Sequence, residues 1–319
     1  MRRTAIRLAG TLAALIALGY FAHAVYRHWH ALSEVRWGGA IVIGGFLSLT
    51  LCLAAYVVSA TAWLSLCRAT GAIHPAAHRL LGIFLVSQFG KYLPGNVAQH
   101  AGRLALSVQA GMNGTSVAIT QVVEILLSIG LMFLATAISS STLLDERLAI
   151  SLRDVSRGTL WLLGGGLLVF CVALAYLLQR YPATKRLLPP LRQMAGSREG
   201  LSRVLMATLL ITANLALSIL ALYAIVASMS EGPVISITAL VSVYAVSWLI
   251  GFLTPGAPAG MGVREASMLT LMTGFGIHEA TAIGASLVFR LVTTVTDATA
   301  LALGSVLMNW RRPASAGVR

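Results

Sequence analysis

The sequence predicts an all-α polytopic membrane protein with about six full transmembrane helices and two re-entrant helical hairpins in an inverted repeat. Three observations predict it. The 319 residues are 57% apolar and 10% charged, whereas soluble domains carry about 25% charged residues. Apolar runs recur along the chain at the roughly 20-residue length that crosses about 30 Å of hydrocarbon as a helix. The stretch Gly90–Ala105 also occurs twice. Shifted by 161 positions without a gap, Gly90, Pro94, Gly95, Ala98, Arg103 and Ala105 fall on Gly251, Pro255, Gly256, Ala259, Arg264 and Ala266. Paired Gly/Pro-interrupted segments at matching positions of two halves are the best sequence pointer to a transport site in a membrane protein.

Met1-Arg2-Arg3 and Arg7 precede an apolar run to about Val25. Ala22-His23-Ala24 resembles a signal-peptidase site, so a cleaved leader competes with a first span. The polytopic character of the rest favours the span. Further full spans are expected at 38–63, 116–138, 159–179, 203–229 and 280–308. Two segments, about 79–110 and 234–274, are apolar but broken by Pro94-Gly95 and by Thr254-Pro255-Gly256. Each arm is short for a crossing, so each segment reads as a hairpin entering and leaving on one side; a single Pro-kinked span is the alternative. Broken backbone at membrane depth is tolerable only where protein or a wet cavity satisfies the freed groups. Repeat one then covers about 79–138 and repeat two about 234–308 of a single integral membrane domain, 1–319.

Charge placement decides between the two readings. With the N-terminus inside, six spans and two hairpins, the inside segments hold 16 Lys/Arg against one acid, and the outside segments six against seven. That is a positive-inside distribution, with both termini in the cytoplasm of a bacterial inner membrane. Reading the second hairpin as a full span would expel Arg311 and Arg312. Three full spans separate the hairpins, an odd number, so the two open to opposite faces.

The formal charge of +13 does not signal nucleic-acid binding, because the basic residues lie in short loops and not along one stripe. They read as topology signals and contacts to anionic head groups. Cys52, Cys67 and Cys171 have no CxxC spacing, and His74 and His78 have no Glu or Cys nearby. No disulfide framework, metal site or cofactor is expected.

The expected lipid-binding residues are Lys91, Pro94, Gly95, Asn96, Arg103, Pro255, Gly256, Arg264 and Glu265. The second arm of each hairpin starts just after Pro-Gly, where unpartnered backbone N–H groups and the helix dipole suit an anion. Asn96 is placed to cap the first of these ends, and Gly95 and Gly256 allow close approach. Arg103 and Arg264 lie further along, towards the inner and outer mouths, where an arginine fork suits phosphate; snorkelling to the interface is the plainer role. Glu265 has no acidic counterpart in the first repeat and would weaken anion attraction at the outer mouth. Glu124, Arg290 and Asp297 fall inside full spans and form the expected intramembrane charge network, with Glu124 reaching Arg290 or Asp297 across the halves.

The motifs Lys91-Tyr92-Leu93-Pro94-Gly95-Asn96 with Gly102-Arg103, and Pro255 to Ala266 (PGAPAGMGVREA), resemble those of the lysylphosphatidylglycerol synthase transmembrane-region family. The resemblance covers nearly the whole chain. In the second motif, Ala259-Gly260-Met261-Gly262 stands where two adjacent glycines are more common. The resemblance implies a flippase-like domain, and the cytoplasmic aminoacyl-transferase domain of bifunctional members is absent from this sequence.

The sequence therefore points to a non-enzymatic lipid translocase moving a phospholipid, glycolipid or isoprenoid lipid between leaflets. An intramembrane lipid-modifying enzyme using Glu124, Asp297 or His100, and a scaffold of a lipid-synthesis pathway, are the competing classes. Its expected partners are membrane lipids with anionic or phosphate head groups, with room for lipid-synthesis enzymes and a homo-oligomer, and no nucleic acid.

Overall fold

The computed structural model describes residues 26, 38–71, 75–92, 98–143, 188–230, 235–254 and 257–309. The expected spans before residue 26 and at 159–179 lie outside these residues, as do Pro94, Gly95, Asn96, Pro255 and Gly256. Nine α-helices and two 3-10 turns make up the described residues, with no strand among them. In order they are α1 (Gly39–Ala69), α2 (Ala77–Gln88), a 3-10 turn at Phe89–Tyr92, α3 (Ala98–Gln109) and α4 (Gly114–Leu143). There follow α5 (Leu188–Gly196), α6 (Arg198–Met229), α7 (Ile237–Leu253), a 3-10 turn at Pro258–Gly260, α8 (Val263–Gly274) and α9 (Glu279–Asn309).

Four helices, α1, α4, α6 and α9, are long and apolar enough to cross a membrane. They correspond to the expected spans at 38–63, 116–138, 203–229 and 280–308. Their hydroxyl side chains donate to the carbonyl one turn back, as Thr136 does to Met132, Ser286 to Ala282 and Thr299 to Val295. Polar side chains are thereby satisfied inside apolar helices. Helix starts are set by side-chain acceptors: Asn113 Oδ1 for the amides of Thr115 and Ser116, Ser197 for Gly200, and Ser236 for Ala239.

Helices α1 and α6 pack antiparallel along their length. Gly44 faces Ala224 and Ser228 near one end, and Ser65 Oγ donates to the Arg203 carbonyl near the other. The 21 residues from Gly44 to Ser65 span about 32 Å at 1.5 Å per residue, the thickness of a hydrocarbon core.

The two interrupted segments attach to this frame at opposite ends. Leu80, Ile83 and Phe84 of α2 and Met112, just past α3, pack with Trp63, Leu64 and Cys67 near the end of α1. Leu240 and Val243 of α7 and Met268 and Met272 of α8 pack instead with Ile41 near the start of α1 and with Ile283 of α9. Each first arm leans on the long helix of the other segment. Gly82 of α2 meets Gly304 of α9, where a Cβ on Gly82 would lie 2.8 Å from the Gly304 carbonyl oxygen. Ser242 of α7 hydrogen-bonds Ser139 of α4 at 2.6 Å.

The arms of each segment touch one another, and the two 3-10 turns meet in the middle of the bundle. A Cβ on Gly90 would meet the Gln99 backbone at 2.7 Å, and one on Gly251 would meet Gly260 Cα at 3.6 Å and Arg264 Cβ at 3.3 Å. These pairs, 90 with 99 and 251 with 260, are related by the 161-residue shift. Close arm-to-arm approach is thus the physical reason for glycine at position 90, and the same crossing at Gly251 is tight but less demanding. The register does not persist at the start of the long helices, since α4 and α9 start 165 residues apart (114 to 279). Arg264 sits in the first turn of α8.

Candidate functional site

Where the two turns meet, the bundle holds a partly open cavity of about 240 Å³. Its wall draws on α1 (Cys52, Tyr56), both interrupted segments (Lys91, Arg103, Tyr244, Arg264), α4 (Glu124), α6 (Asn214, Ser218) and α9 (Arg290, Thr293). Four cations line it, and three of them are held by carboxylates.

Lys91, at the end of the first turn, places Nζ 2.8 Å from Asp297 Oδ1 and Oδ2 and 2.9 Å from Tyr56 Oη. Tyr92 Oη donates to Asp297 Oδ2 at 2.6 Å, and Tyr56 donates to Asp297 Oδ1. Asp297 is 1% exposed, and this ring of donors is what makes a carboxylate tolerable there. The cluster ties α1, the first turn and α9 together.

Arg103 is 2% exposed. Its Nη1 lies 2.6 Å from Glu124 Oε2 and its Nε donates to Ser87 Oγ at 3.3 Å. The guanidinium lies over Phe84, 4.2 Å from the ring centroid, with the neighbouring Trp63 ring at 5.4 Å.

Arg290 Nη1 lies 3.4 Å from Glu265 Oε1 and 3.4 Å from the Ala259 carbonyl. Glu265 Oε2 meanwhile accepts the Gly262 amide at 2.7 Å. The carboxylate therefore caps the start of α8 from within the chain. The arm-to-long-helix ion pair of the first segment recurs in the second with its charges exchanged: Arg103 with Glu124, Glu265 with Arg290.

Arg264 differs from the other three. No carboxylate lies within ion-pair distance of it among the described residues. Its guanidinium lies beside the edge-to-face pair of Tyr244 and Phe289, 5.1 and 5.6 Å from their ring centroids, and its Nε is buried without a hydrogen-bond partner. Stacking keeps a guanidinium oriented without neutralising it.

Several sequence expectations are corrected by this geometry. Glu124 pairs with Arg103 of its own segment, and neither Arg290 nor Asp297 is its partner. Asp297 pairs with Lys91, and Arg290 with Glu265. Arg103 and Arg264 do not occupy separate mouths, because both line the same central cavity. Glu265 is buried and committed to an amide and to Arg290, so it does not stand at a mouth as a free acid. The capping role expected for Asn96, and the parts expected of Pro94, Gly95, Pro255 and Gly256, fall outside the described residues. Tyr56, Tyr92, Tyr244, Phe289 and Asn214 were missed by sequence reasoning. Two of them carried a signal, Asn214 as a lone amide in the middle of an apolar span and Tyr92 as part of the Lys91–Asn96 motif.

Residues 5–300 match the family described as lysylphosphatidylglycerol synthase TM region. The chain belongs to this family. The match covers both interrupted segments and every residue of the cavity wall, so the family assignment and the site concern the same part of the molecule. Membership makes the chain a multi-pass, lipid-related membrane protein, in agreement with its four long apolar helices. No curated protein matches the chain.

Proposed function

We propose that this protein is a lipid translocase of the bacterial inner membrane, carrying a lipid with a phosphate-bearing head group between leaflets through the central cavity. One observation carries the reading: Arg264, oriented by two aromatic rings, faces a cavity at the middle of the bundle with no carboxylate within ion-pair distance among the described residues. An unneutralised cation at that depth is costly unless it serves a ligand or a path. A guanidinium is the side chain that holds phosphate through two parallel hydrogen bonds.

The architecture supports the same reading. We take the two interrupted segments as re-entrant hairpins of an inverted repeat, with their 3-10 turns meeting near the bilayer midplane and outer ends at opposite faces. Arg68, Arg79, Arg198 and Arg203 then lie at the cytoplasmic end, where the positive-inside rule puts them. A site between two oppositely oriented repeats can open to one face and then to the other as one repeat rocks against the rest. The close crossing of Gly82 with Gly304 offers a smooth contact for such a motion. The lipid's chains stay in the bilayer while its head group crosses through the cavity, so no bond is made or broken and no cofactor is required.

The test is leaflet exchange in proteoliposomes containing a head-group-labelled phospholipid. Purified protein should bring label from the inner leaflet within reach of an impermeant quencher, with the lipid recovered chemically unchanged. Exchange equal to that of protein-free vesicles would reject translocation, and a chemically altered lipid would move the protein to the enzyme class.

A further inference from the structure

Charge balance around the cavity limits which phosphate head group it can hold. Four cations line the wall, Lys91, Arg103, Arg264 and Arg290. Three carboxylates contact three of them one to one: Asp297 at 2.8 Å, Glu124 at 2.6 Å and Glu265 at 3.4 Å. Among the described residues the site and its immediate partners therefore carry one uncompensated positive charge, on Arg264. Two of the carboxylates are also committed elsewhere, Asp297 to two tyrosine hydroxyls and Glu265 to the Gly262 amide. Those two pairs are therefore poorly placed to part, and the third, Arg103 with Glu124, is the shortest of the three at 2.6 Å with its arginine 2% exposed. In surroundings of low dielectric, a ligand charge left without a counter-charge is strongly disfavoured.

We propose that the cavity selects head groups whose phosphate is a diester bearing a single negative charge, and disfavours phosphomonoesters and pyrophosphates. This rests on the lipid-translocase reading above and narrows its substrate class. A diester anion neutralises Arg264 and leaves the three internal pairs intact. A phosphomonoester carries about −1.5 to −2 at neutral pH and a pyrophosphate more, so each leaves negative charge facing Glu124. The diester's bridging oxygens also leave two free oxygens, which match the two parallel donors of one guanidinium.

The experiment is displacement of a fluorescent phosphatidylglycerol from the purified full chain in mild detergent. The competitors are unlabelled phosphatidylglycerol, phosphatidic acid with the same acyl chains, farnesyl pyrophosphate, a galactosyl diacylglycerol and water-soluble glycerophosphoglycerol. Phosphatidylglycerol should compete about tenfold or more better than phosphatidic acid or the pyrophosphate, a difference set by one unpaired charge. In Asp297→Asn, Lys91 loses its counter-charge, and in Glu124→Gln, Arg103 does. Either variant, provided it elutes as a single species in size-exclusion chromatography, should move the preference at least severalfold towards the monoester and the pyrophosphate. Equal or tighter wild-type binding of those two would overturn the single-charge inference while leaving a phosphate lipid as the ligand. Competition by the galactolipid as strong as by phosphatidylglycerol would instead remove the phosphate from the reading of function. Glycerophosphoglycerol competing as well as the whole lipid would remove the lipid.

Discussion

Replacing Glu124 by Gln should destabilise the protein markedly while changing almost no volume. The perturbation leaves the Arg103 guanidinium, 2% exposed, without the carboxylate now 2.6 Å away. Removing one partner of a buried ion pair costs about 3–5 kcal/mol. Two features lower that figure here. Ser87 and the faces of Phe84 and Trp63 remain in contact with the guanidinium, and a cation over an aromatic ring retains about 0.5–2 kcal/mol. Glu124 also borders the cavity and is 13% exposed, which admits some screening. A net loss of about 2–3 kcal/mol remains, equivalent to a drop of about 5–10 °C in the apparent melting temperature. The assay is thermal unfolding in detergent, monitored by size-exclusion chromatography, for Glu124→Gln, Arg103→Gln and the double variant. The double variant should fall short of the summed losses by about 1–3 kcal/mol, since each single change leaves an orphan that the other removes. A single variant melting within about 1 °C of the wild type, or strict additivity, would refute the claim that this pair organises the first segment.

Three further outcomes follow from the same geometry. Gly90→Ala should disrupt the first segment, because its Cβ would meet backbone at 2.7 Å, whereas Gly251→Ala comes no nearer than 3.3 Å, to Arg264 Cβ, and Gly102→Ala meets nothing within 4 Å. Thermal stability should rank Gly102→Ala above Gly251→Ala above Gly90→Ala. Cys52 lines the cavity and Cys67 does not, so a small thiol reagent should block transport by the wild type and spare Cys52→Ser. Single cysteines at 111–115 and 274–279, in an otherwise cysteine-free chain, should react with an impermeant maleimide from opposite sides of the membrane; equal reaction from one side would remove the inverted arrangement.

How much of this was legible in the sequence depends on the kind of residue. The four long helices were readable because about 20 apolar residues in a row have few other outcomes. Glycine at 90 and 251 was readable as a repeat, and the structure supplies the cause at the first of them, two arms crossing at 2.7 Å from where a Cβ on Gly90 would stand, while at Gly251 the arms are close but looser. The pairing of Glu124, Arg290 and Asp297 was misread because intramembrane charges were matched by helix and half, while their real partners lie on the interrupted segments. Lys91 was read as lipid-binding although Asp297 holds it. The aromatic setting of Arg264 left no pattern along the chain, because Tyr244 and Phe289 come from two different helices. The gapless repeat itself misled at Arg103 and Arg264: identical offsets from Pro-Gly suggested identical jobs at two faces. Arg103 instead stands in an ion pair, and Arg264 faces the cavity with no carboxylate within ion-pair distance among the described residues.

That difference gives the account its most direct measurement, leaflet-resolved transport of a labelled phosphatidylglycerol by Arg264→Gln and Arg264→Lys in oriented proteoliposomes. Because a single central cavity serves both directions, Arg264→Gln should lose about tenfold or more in transport from either leaflet, the scale of a charge-assisted phosphate contact. Arg264→Lys, which keeps the charge but not the fork, should fall between that variant and the wild type. Transport by Arg264→Gln at the wild-type rate from both leaflets would contradict the account.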